Sequence, residues 1–348
     1  MTRFNLRGLV TAAMMMAWAG PSLAETIIFS ANDVEANFHT QNARLFAEDV
    51  ARISDGALNV NVVSGSALLS RAELKRGIQR RVVAVGDMLT GALANEDPAF
   101  AVEGIPMLAV SPDKVDLLWQ ITRPIYEEEL GKAGIMVLWG EAWPATGIYS
   151  AREITTPDDL SGMRMRAYNG TSARFISLLG GVPATIPSAE ISQAFSTGVV
   201  SGMLTSSTTG VDTQAWDFAS FFYNLEMLTP TNLILMNRDR FEALSPDQQA
   251  AVLEAARLAE ERGWRMARDE QDKAVQKLRD NGMQVRSELP PAVQEVFDNA
   301  AATMLAEWRN RSPAVTRIVA DYEAALAAQP SAGAAVQPLE GAEDAGND

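Results

Sequence analysis

A helical pattern of about 35 residues is the feature that most constrains the fold of this chain. It opens with the capping box Ser245-Pro246-Asp247-Gln248 and runs to Asp280, where Asn281-Gly282 provides a stop. At about 1.5 Å per residue, such a helix is about 50 Å long and exceeds the diameter of an ordinary domain. Polar residues such as Glu260 and Gln271 interrupt its apolar seam, which argues against a coiled coil. We therefore expect a single helix that runs along two lobes.

Strand and helix patterns alternate through the rest of the chain. Short apolar runs at 26–30, 58–63, 81–85 and 135–139 are separated by helical segments, and the second half repeats this plan with runs at 163–167, 184–186 and 199–204. This order predicts an α/β fold with mostly parallel sheets covered by helices. The segments RVVAVGDMLTG (81–91) and GVVSGMLTS (198–206) resemble each other, as two lobes of similar construction would.

Both ends of the chain are predicted to lie outside the fold. Arg3 and Arg7, the apolar stretch LVTAAMMMAWAG and a small-residue site ending at Ala24 are typical of a secretory signal peptide over residues 1–24. The apolar stretch is too short to span a bilayer, and an uncleaved anchor is the alternative. Residues 327–348 are small, acidic and interrupted by Pro and Gly, which predicts a disordered tail.

Composition excludes several kinds of chemistry. The chain has no cysteine and one histidine, His39, which excludes thiol nucleophiles and His-rich zinc sites. It contains no P-loop, no G-x-G-x-x-G and no G-x-S-x-G, so we expect neither cofactor nor metal, whereas a hydrolase that uses only carboxylates stays open. The net charge of −15 does not suit nucleic acid or anionic membranes. An exported chain without disulfides fits a bacterial periplasm.

The stretch GMRMRAYNGTSARF (162–175) alternates arginine and methionine. Alternation places Arg164 and Arg166 on one face of a strand and the two methionines on the other. Arg166 comes last on the strand and faces a helix that begins near Ser172, whose free amide groups favour an anion. A planar guanidinium matches a carboxylate with paired hydrogen bonds, so Arg166 is a candidate anion ligand. An ordinary surface ion pair is the alternative, and Arg164 is interpreted as solvated.

This region resembles the solute-binding subunits of TRAP transporters, the DctP-type family. The resemblance rests on SAREITTPDDLSGMRMRAYN, on LLGGVP and on EISQAFSTGVVSG, and it extends more loosely over residues 26–325. It implies a two-lobed periplasmic binding protein of the Venus-flytrap type, with a cleft between the lobes and a long helix bridging both. We expect lobe 1 to comprise residues 25–148 and 231–277, and lobe 2 residues 149–230 and 278–326.

The resemblance also implies a function and a set of ligand contacts. The receptor would capture an organic carboxylate and deliver it to TRAP membrane subunits, which use an ion gradient. Arg166 falls on the family's carboxylate-binding arginine, and Arg152 falls where some relatives carry a second one. Asn169 and Thr205 match positions that contact ligand in relatives, although Asn169 also suits a turn or helix cap. The Ser201-Gly202 pair departs from the family's usual Asp-Gly.

Two tryptophans complete the candidate site. Trp143 lies in the segment that crosses between lobes, and Trp216 begins a helix after a Thr/Ser-rich loop. Two aromatic residues near one arginine favour a monocarboxylate with an apolar or aromatic body, with 2-oxo and hydroxy acids also open; a core role is the alternative for both. We expect His39 to be hydrogen-bonded or solvent-facing rather than a ligand contact.

Other functional classes stay open at this point. The same scaffold could carry a periplasmic enzyme, although the usual nucleophiles are missing, or a binding protein that serves an ATP-driven transporter or a sensor. Either a monomer or a homodimer is compatible with the sequence, because the long helix could expose an apolar face.

Overall fold

Two mixed β-sheets form the framework of the protein. The computed structural model describes residues 25–328, and the predicted signal peptide lies outside them. The strands are β1 (Glu25–Ser30), β2 (Leu58–Val63), β3 (Val85–Leu89), β4 (Ile135–Ala142), β5 (Thr146–Ser150), β6 (Arg164–Ala167), β7 (Val182–Thr185), β8 (Gly202–Ser206), β9 (Phe221–Tyr223), β10 (Thr231–Asn237) and β11 (Gln284–Arg286). We define lobe 1 by the sheet of order β2-β1-β3-β10-β4 and lobe 2 by the sheet of order β11-β9-β5-β8-β6-β7.

Helices cover both sheets, as the α/β prediction requires. They are α1 (Phe38–Ile53), α2 (Arg71–Gln79), α3 (Pro112–Gly131), α4 (Gly170–Leu178), α5 (Ile191–Ser196), α6 (Ser207–Asp212), α7 (Arg238–Glu242), α8 (Pro246–Asp280), α9 (Pro291–Trp308) and α10 (Pro313–Ala328). Within residues 25–328, no helix combines the length and the apolar character needed to cross a membrane.

Each sheet contains one reversed strand, and in both cases that strand follows a crossing between the lobes. β5 runs antiparallel to β8 and β9, and β10 runs antiparallel to β3 and β4, while the other pairings are parallel. A chain that crosses directly from β4 to β5 or from β9 to β10 enters the next sheet without a covering helix, so it arrives in the opposite direction.

The two crossing segments lie side by side and are hydrogen-bonded to each other. Trp143 N donates to Pro230 O at 2.8 Å, and Thr146 N donates to Leu228 O at 2.8 Å. β5 therefore begins at Thr146, a few residues before the predicted boundary at 148/149, whereas β10 begins at Thr231, where the sequence predicts the return to lobe 1. This paired connection is where the lobes can hinge.

The long helix α8 is confirmed and bridges both lobes. Its first half buries Val252, Ala255 and Ala259 in the core of lobe 1, and its last turns bury Val275 and Leu278 in lobe 2. The ends form where the capping signals predicted, because Ser245 Oγ accepts from Gln248 N at 3.3 Å and the helix stops before Asn281-Gly282.

The two polar residues that interrupt the apolar seam of α8 attach it to the lobes. Glu260 Oε1 accepts from Trp119 Nε1 of α3 at 2.9 Å. Gln271 accepts from Ser207 Oγ at 3.1 Å and donates to Asn224 Oδ1 at 2.9 Å. One residue therefore connects the helix to lobe 1 and the other connects it to lobe 2.

The assignment of the C-terminal region to lobe 2 was wrong in part. β11 and most of α9 pack on lobe 2, but the chain then returns to lobe 1. Trp308 Nε1 donates to Pro98 O at 3.0 Å, Tyr322 Oη donates to Leu108 O at 3.0 Å, and Val315 and Ile318 lie in the lobe 1 core. α10 includes residues 327 and 328, which were predicted to begin the tail, and the rest of that tail lies outside the described residues.

Two strands begin later than predicted, for the same reason. The runs at 81–85 and 199–204 were interpreted as buried strands, yet β3 begins at Val85 and β8 at Gly202. Val82 is 58% exposed and Val199 is 39% exposed, whereas Val83 and Val200 are buried, and all four valines precede the first residue of the strand. The resemblance between the two segments therefore lies in equivalent helix–turn–strand connections of the two lobes.

Candidate ligand-binding site

A cleft with a volume of about 1290 Å³ lies between the lobes. Lobe 1 contributes the loop after β1, the start of α2 and the end of β3, and lobe 2 contributes the ends of β6 and β8. Trp143 lines the cleft from the crossing segment. Because the carboxyl ends of the parallel strands in both sheets face this space, side chains from both lobes can converge on one small molecule.

Arg166 is the buried cation of this cleft. It is only 4% exposed, its Nε donates to Ile186 O at 2.8 Å, and its buried Nη1 has no hydrogen-bond partner among the residues that the structure describes. Burial, and to a lesser degree the charge of Arg71, lowers the pKa of Arg166 to about 10, so the group is still a cation at neutral pH. Its guanidinium lies 5.8 Å from the centre of the Tyr168 ring. An anion in the cleft would compensate this charge.

The local sequence explains why Arg166 is buried and Arg164 is not. Met163 and Met165 pack into the lobe 2 core with Phe175, which fixes the alternation of β6. β6 lies inside the sheet between β8 and β7, so Arg166 near its carboxyl end lies at the cleft. Arg164, two residues earlier, is exposed, as predicted.

Asn169 caps a helix, which is one of the two roles considered for it from the sequence, and it also lines the cleft. Its Oδ1 accepts from Ser172 N at 2.9 Å at the start of α4. Its Nδ2 faces lobe 1, where a Cβ atom placed on Gly91 would lie 2.4 Å away from it. Direct contact between Asn169 and a ligand stays a prediction.

Lobe 1 supplies cleft residues that the sequence analysis missed. Asp33, after β1, is 9% exposed; its Oδ1 lies 3.4 Å from Arg71 Nη2, and its buried Oδ2 has no hydrogen-bond partner within residues 25–328. Asn32 N donates to Asp87 Oδ1 at 2.7 Å, and burial together with the charge of Asp33 raises the pKa of Asp87 to about 7. The sequence could have indicated these residues, because they lie at or after the carboxyl ends of β1 and β3, and the carboxyl ends of neighbouring parallel strands meet at the same edge of a sheet.

Comparison with known proteins identifies this arrangement. The DctP family model, described as bacterial extracellular solute-binding protein, family 7, matches residues 29–311. The chain belongs to this family. As a DctP-family protein it is the solute-binding receptor of a TRAP transporter, as the sequence predicts.

Solved structures and a curated relative match most of this chain. DctP7 of Bordetella pertussis, which binds pyroglutamic acid, is 39% identical with a TM-score of 0.84, over 86% of this chain and 100% of its own. DctP6 of the same organism, also binding pyroglutamic acid, is 30% identical with a TM-score of 0.83, over 86% and 99%. The C4-dicarboxylate-binding periplasmic protein DctP of Rhodobacter capsulatus is 26% identical over 94% of this chain and 99% of its own.

Two predicted ligand contacts of the receptor do not lie in the cleft. Arg152 is exposed and follows the end of β5, which runs antiparallel to β8 and so carries the chain away from the edge where the cleft lies. Trp216 is half-buried and packs on the lobe 2 cluster that contains Val275 of α8. This is the core role that the sequence offered as the alternative to ligand contact. Neither residue is among those of the described chain that line the cleft.

Trp143 and Thr205 do line the cleft of the receptor. Trp143 Nε1 donates to Asn232 Oδ1 at 3.0 Å, and its ring centre lies 4.3 Å from that of His39. His39 is buried behind it, with Nδ1 2.8 Å from Glu141 Oε1, and it is not among the described residues that line the cleft. Thr205 is buried at the end of β8.

Among residues 25–328, no group of three or more His, Asp or Glu side chains is placed to hold a metal ion. Arginines, acids, hydroxyls and aromatic rings line the cleft. A buried guanidinium that lacks a partner among the described residues, with rings and hydroxyls in the same cleft, can bind and orient an acid.

Proposed function

We propose that this receptor binds a small monocarboxylate with a five-membered lactam ring, represented by L-pyroglutamate. The observation that carries this proposal is the buried Arg166, whose Nη1 has no hydrogen-bond partner in the part of the chain that the structure describes. Since Nε is engaged by Ile186 O, the carboxylate would meet the terminal nitrogens of the guanidinium end-on. Closure of the lobes would then remove water from the ion pair and strengthen it.

The charges in the cleft support a monocarboxylate over a dicarboxylate. Arg71, the other cation near Arg166, already lies 3.4 Å from Asp33 Oδ1. A second ligand carboxylate would compete with Asp33 for Arg71 and would approach the unpartnered Oδ2 of Asp33. That like-charge approach is unfavourable in a buried site.

Sequence similarity and ring chemistry support a lactam acid over a sugar acid. The pyroglutamate-binding DctP7 is 39% identical to this chain, whereas receptors solved with galacturonate or glucuronate are 19–22% identical. Tyr168, Trp143 and Ile186 line the cleft with largely apolar surface that suits a compact ring, and Thr205 is one of several polar residues beside them.

Calorimetry with matched ligands tests the proposal. The protein is unfolded in guanidinium, dialysed to remove co-purified ligand and refolded. It is then titrated with L-pyroglutamate, with pyroglutamamide, which keeps the ring but lacks the charge, and with D-glucuronate. We expect binding of L-pyroglutamate only. Equal binding of the amide would refute the carboxylate contact, and preferential binding of D-glucuronate would refute the lactam class.

We further propose that the receptor works in the periplasm, after cleavage at Ala24, and delivers its ligand to TRAP membrane subunits. Family membership supports this partner over an ATP-driven transporter or an enzymatic role. Reconstitution with the membrane subunits should give uptake that depends on a sodium gradient and on the receptor. Uptake that requires ATP, or conversion of L-pyroglutamate on incubation with the receptor alone, would contradict the proposal.

A further inference from the structure

Asp33 lines the cleft and carries a buried hydrogen-bond acceptor. It lies in the loop that follows β1, it is 9% exposed, and it lines the cleft on the lobe opposite Arg166. The backbone of this residue is fixed, because its carbonyl oxygen accepts from Gly65 N at 2.8 Å and from Thr40 Oγ1 at 3.2 Å. The direction of its carboxylate is fixed in turn by Arg71.

The two oxygens of this carboxylate differ in what they contact. Oδ1 lies 3.4 Å from Arg71 Nη2, whereas Oδ2 is buried and accepts no hydrogen bond from any residue between 25 and 328. An ionised carboxylate can only accept, so a buried oxygen without a donor is unfavourable. A group that enters the cleft with an N–H directed at Oδ2 would satisfy it.

We propose that Asp33 is the specificity-determining residue of this cleft and that it accepts a hydrogen bond from a neutral N–H group of the ligand. This inference rests on the proposed function, since it assumes that the ligand carboxylate pairs with Arg166. The site then selects acids that carry an amide-type N–H on the side away from the carboxylate. Acids of the same shape that lack this N–H leave Oδ2 unsatisfied.

The charges argue for a neutral donor rather than an ammonium group. Asp33 is already paired with the guanidinium of Arg71, so its second oxygen needs a hydrogen-bond donor and not a second positive charge. Arg71 and Arg166 both line the cleft and the charge of one acts on the other, so a ligand ammonium between them would add a further cation. A lactam N–H meets the requirement and adds no charge.

A two-by-two calorimetric comparison tests this assignment. The two ligands are L-pyroglutamate and 5-oxotetrahydrofuran-2-carboxylate, in which a ring oxygen replaces the N–H. The two proteins are the wild type and Asp33→Asn, whose side chain can still accept from Arg71 but presents NH₂ where Oδ2 stood. We expect the wild type to prefer the lactam by about 10- to 100-fold, the range expected for a hydrogen bond to a charged acceptor. Asp33→Asn should weaken lactam binding by a similar factor and leave lactone binding within about 3-fold.

Controls separate this inference from the proposed function. Glu35→Gln is the matched control, because Glu35 is an exposed carboxylate two residues after Asp33 that pairs with Arg44 outside the cleft. This variant should bind the lactam and the lactone as the wild type does. Retained lactone binding shows that Asp33→Asn is folded. An identical lactam-to-lactone ratio in wild type and Asp33→Asn overturns the inference alone. L-proline carries an ammonium group in the same ring position. If the wild type binds L-proline as tightly as L-pyroglutamate, the requirement for a neutral donor is overturned. Failure of the wild type to bind either ring acid overturns the proposed function as well.

Discussion

The side-chain amide of Asn169 on lobe 2 lies directly against Gly91 on lobe 1, so that a Cβ atom on Gly91 would stand 2.4 Å from Asn169 Nδ2. Asn169 cannot easily move aside, because its Oδ1 caps α4 through Ser172 N. The lobes therefore meet across the cleft at a position that only glycine fits. Asn37 Nδ2, which donates to Asp212 Oδ2 at 2.8 Å, provides a second contact between the lobes.

Gly91→Val should hinder closure without disturbing either lobe. The added side chain would force Asn169 to give up its cap or keep the lobes apart, so we expect ligand affinity to fall at least about 10-fold, about 1.4 kcal/mol. Small-angle scattering at saturating ligand should also show less compaction. Gly170→Ala is the control, because its Cβ meets no atom within 4 Å. An unchanged dissociation constant for Gly91→Val would show that this contact does not form on binding.

Features determined by local sequence could be predicted. The limits of α8 follow from the capping box at Ser245 and from Asn281-Gly282, and the alternation of β6 separates Arg166 from Arg164. These signals act over a few residues, so they hold whatever the rest of the chain does.

Features that depend on chain direction or on distant packing could not be predicted. The crossing at residues 143–145 reverses β5, which moves Arg152 away from the cleft. Asp33 and Arg71 become a pair only because the loop after β1 meets the start of α2 in the folded sheet. The return of α10 to lobe 1 depends on contacts such as Tyr322 with Leu108, which no local pattern encodes.

Glu103→Gln should change how stability depends on pH. Burial raises the pKa of Glu103 to about 7 from an ordinary 4.5, although Thr90 and the Thr231 amide donate to it. The folded state therefore binds this proton more tightly than the unfolded state. The stability that it contributes is complete below about pH 4.5 and is lost as the pH rises to about 7.

The measurement for Glu103→Gln is urea unfolding between pH 4.5 and pH 8. Relative to the wild type, the variant should gain stability over this range, on the order of 3 kcal/mol at most. Some slope should remain, because burial also raises the pKa of Asp87 to about 7. Glu48→Gln, at an exposed position, should follow the wild type. Parallel curves for Glu103→Gln and the wild type would contradict the buried, proton-binding state of Glu103.

Gly263→Ala should destabilise the protein although alanine favours helices. A Cβ at this position of α8 would lie 2.4 Å from Glu141 Oε2 and 2.9 Å from Asn42 Nδ2, inside the buried cluster with His39. We expect a loss of about 2 kcal/mol from overpacking, against a helix-propensity gain of about 1 kcal/mol elsewhere. Gly131→Ala at the end of α3, where the nearest atom is 3.5 Å away, is the matched control. In thermal unfolding, the midpoint of Gly263→Ala should fall below that of the wild type, whereas that of Gly131→Ala should not. Equal midpoints for Gly263→Ala and the wild type would contradict the close approach of α8 to β4.

The central claim is that Arg166 binds the ligand carboxylate, and calorimetry of Arg166→Ala beside Arg164→Ala tests it most directly. Both variants remove an arginine from β6, but Arg166 is buried at the cleft and Arg164 is exposed. We expect Arg166→Ala to lose about 2–5 kcal/mol of binding free energy for L-pyroglutamate, while the ligand-free protein keeps its thermal stability because an uncompensated buried charge has been removed. Arg164→Ala should bind like the wild type. Wild-type affinity in Arg166→Ala, or an equal loss in both variants, would contradict the claim.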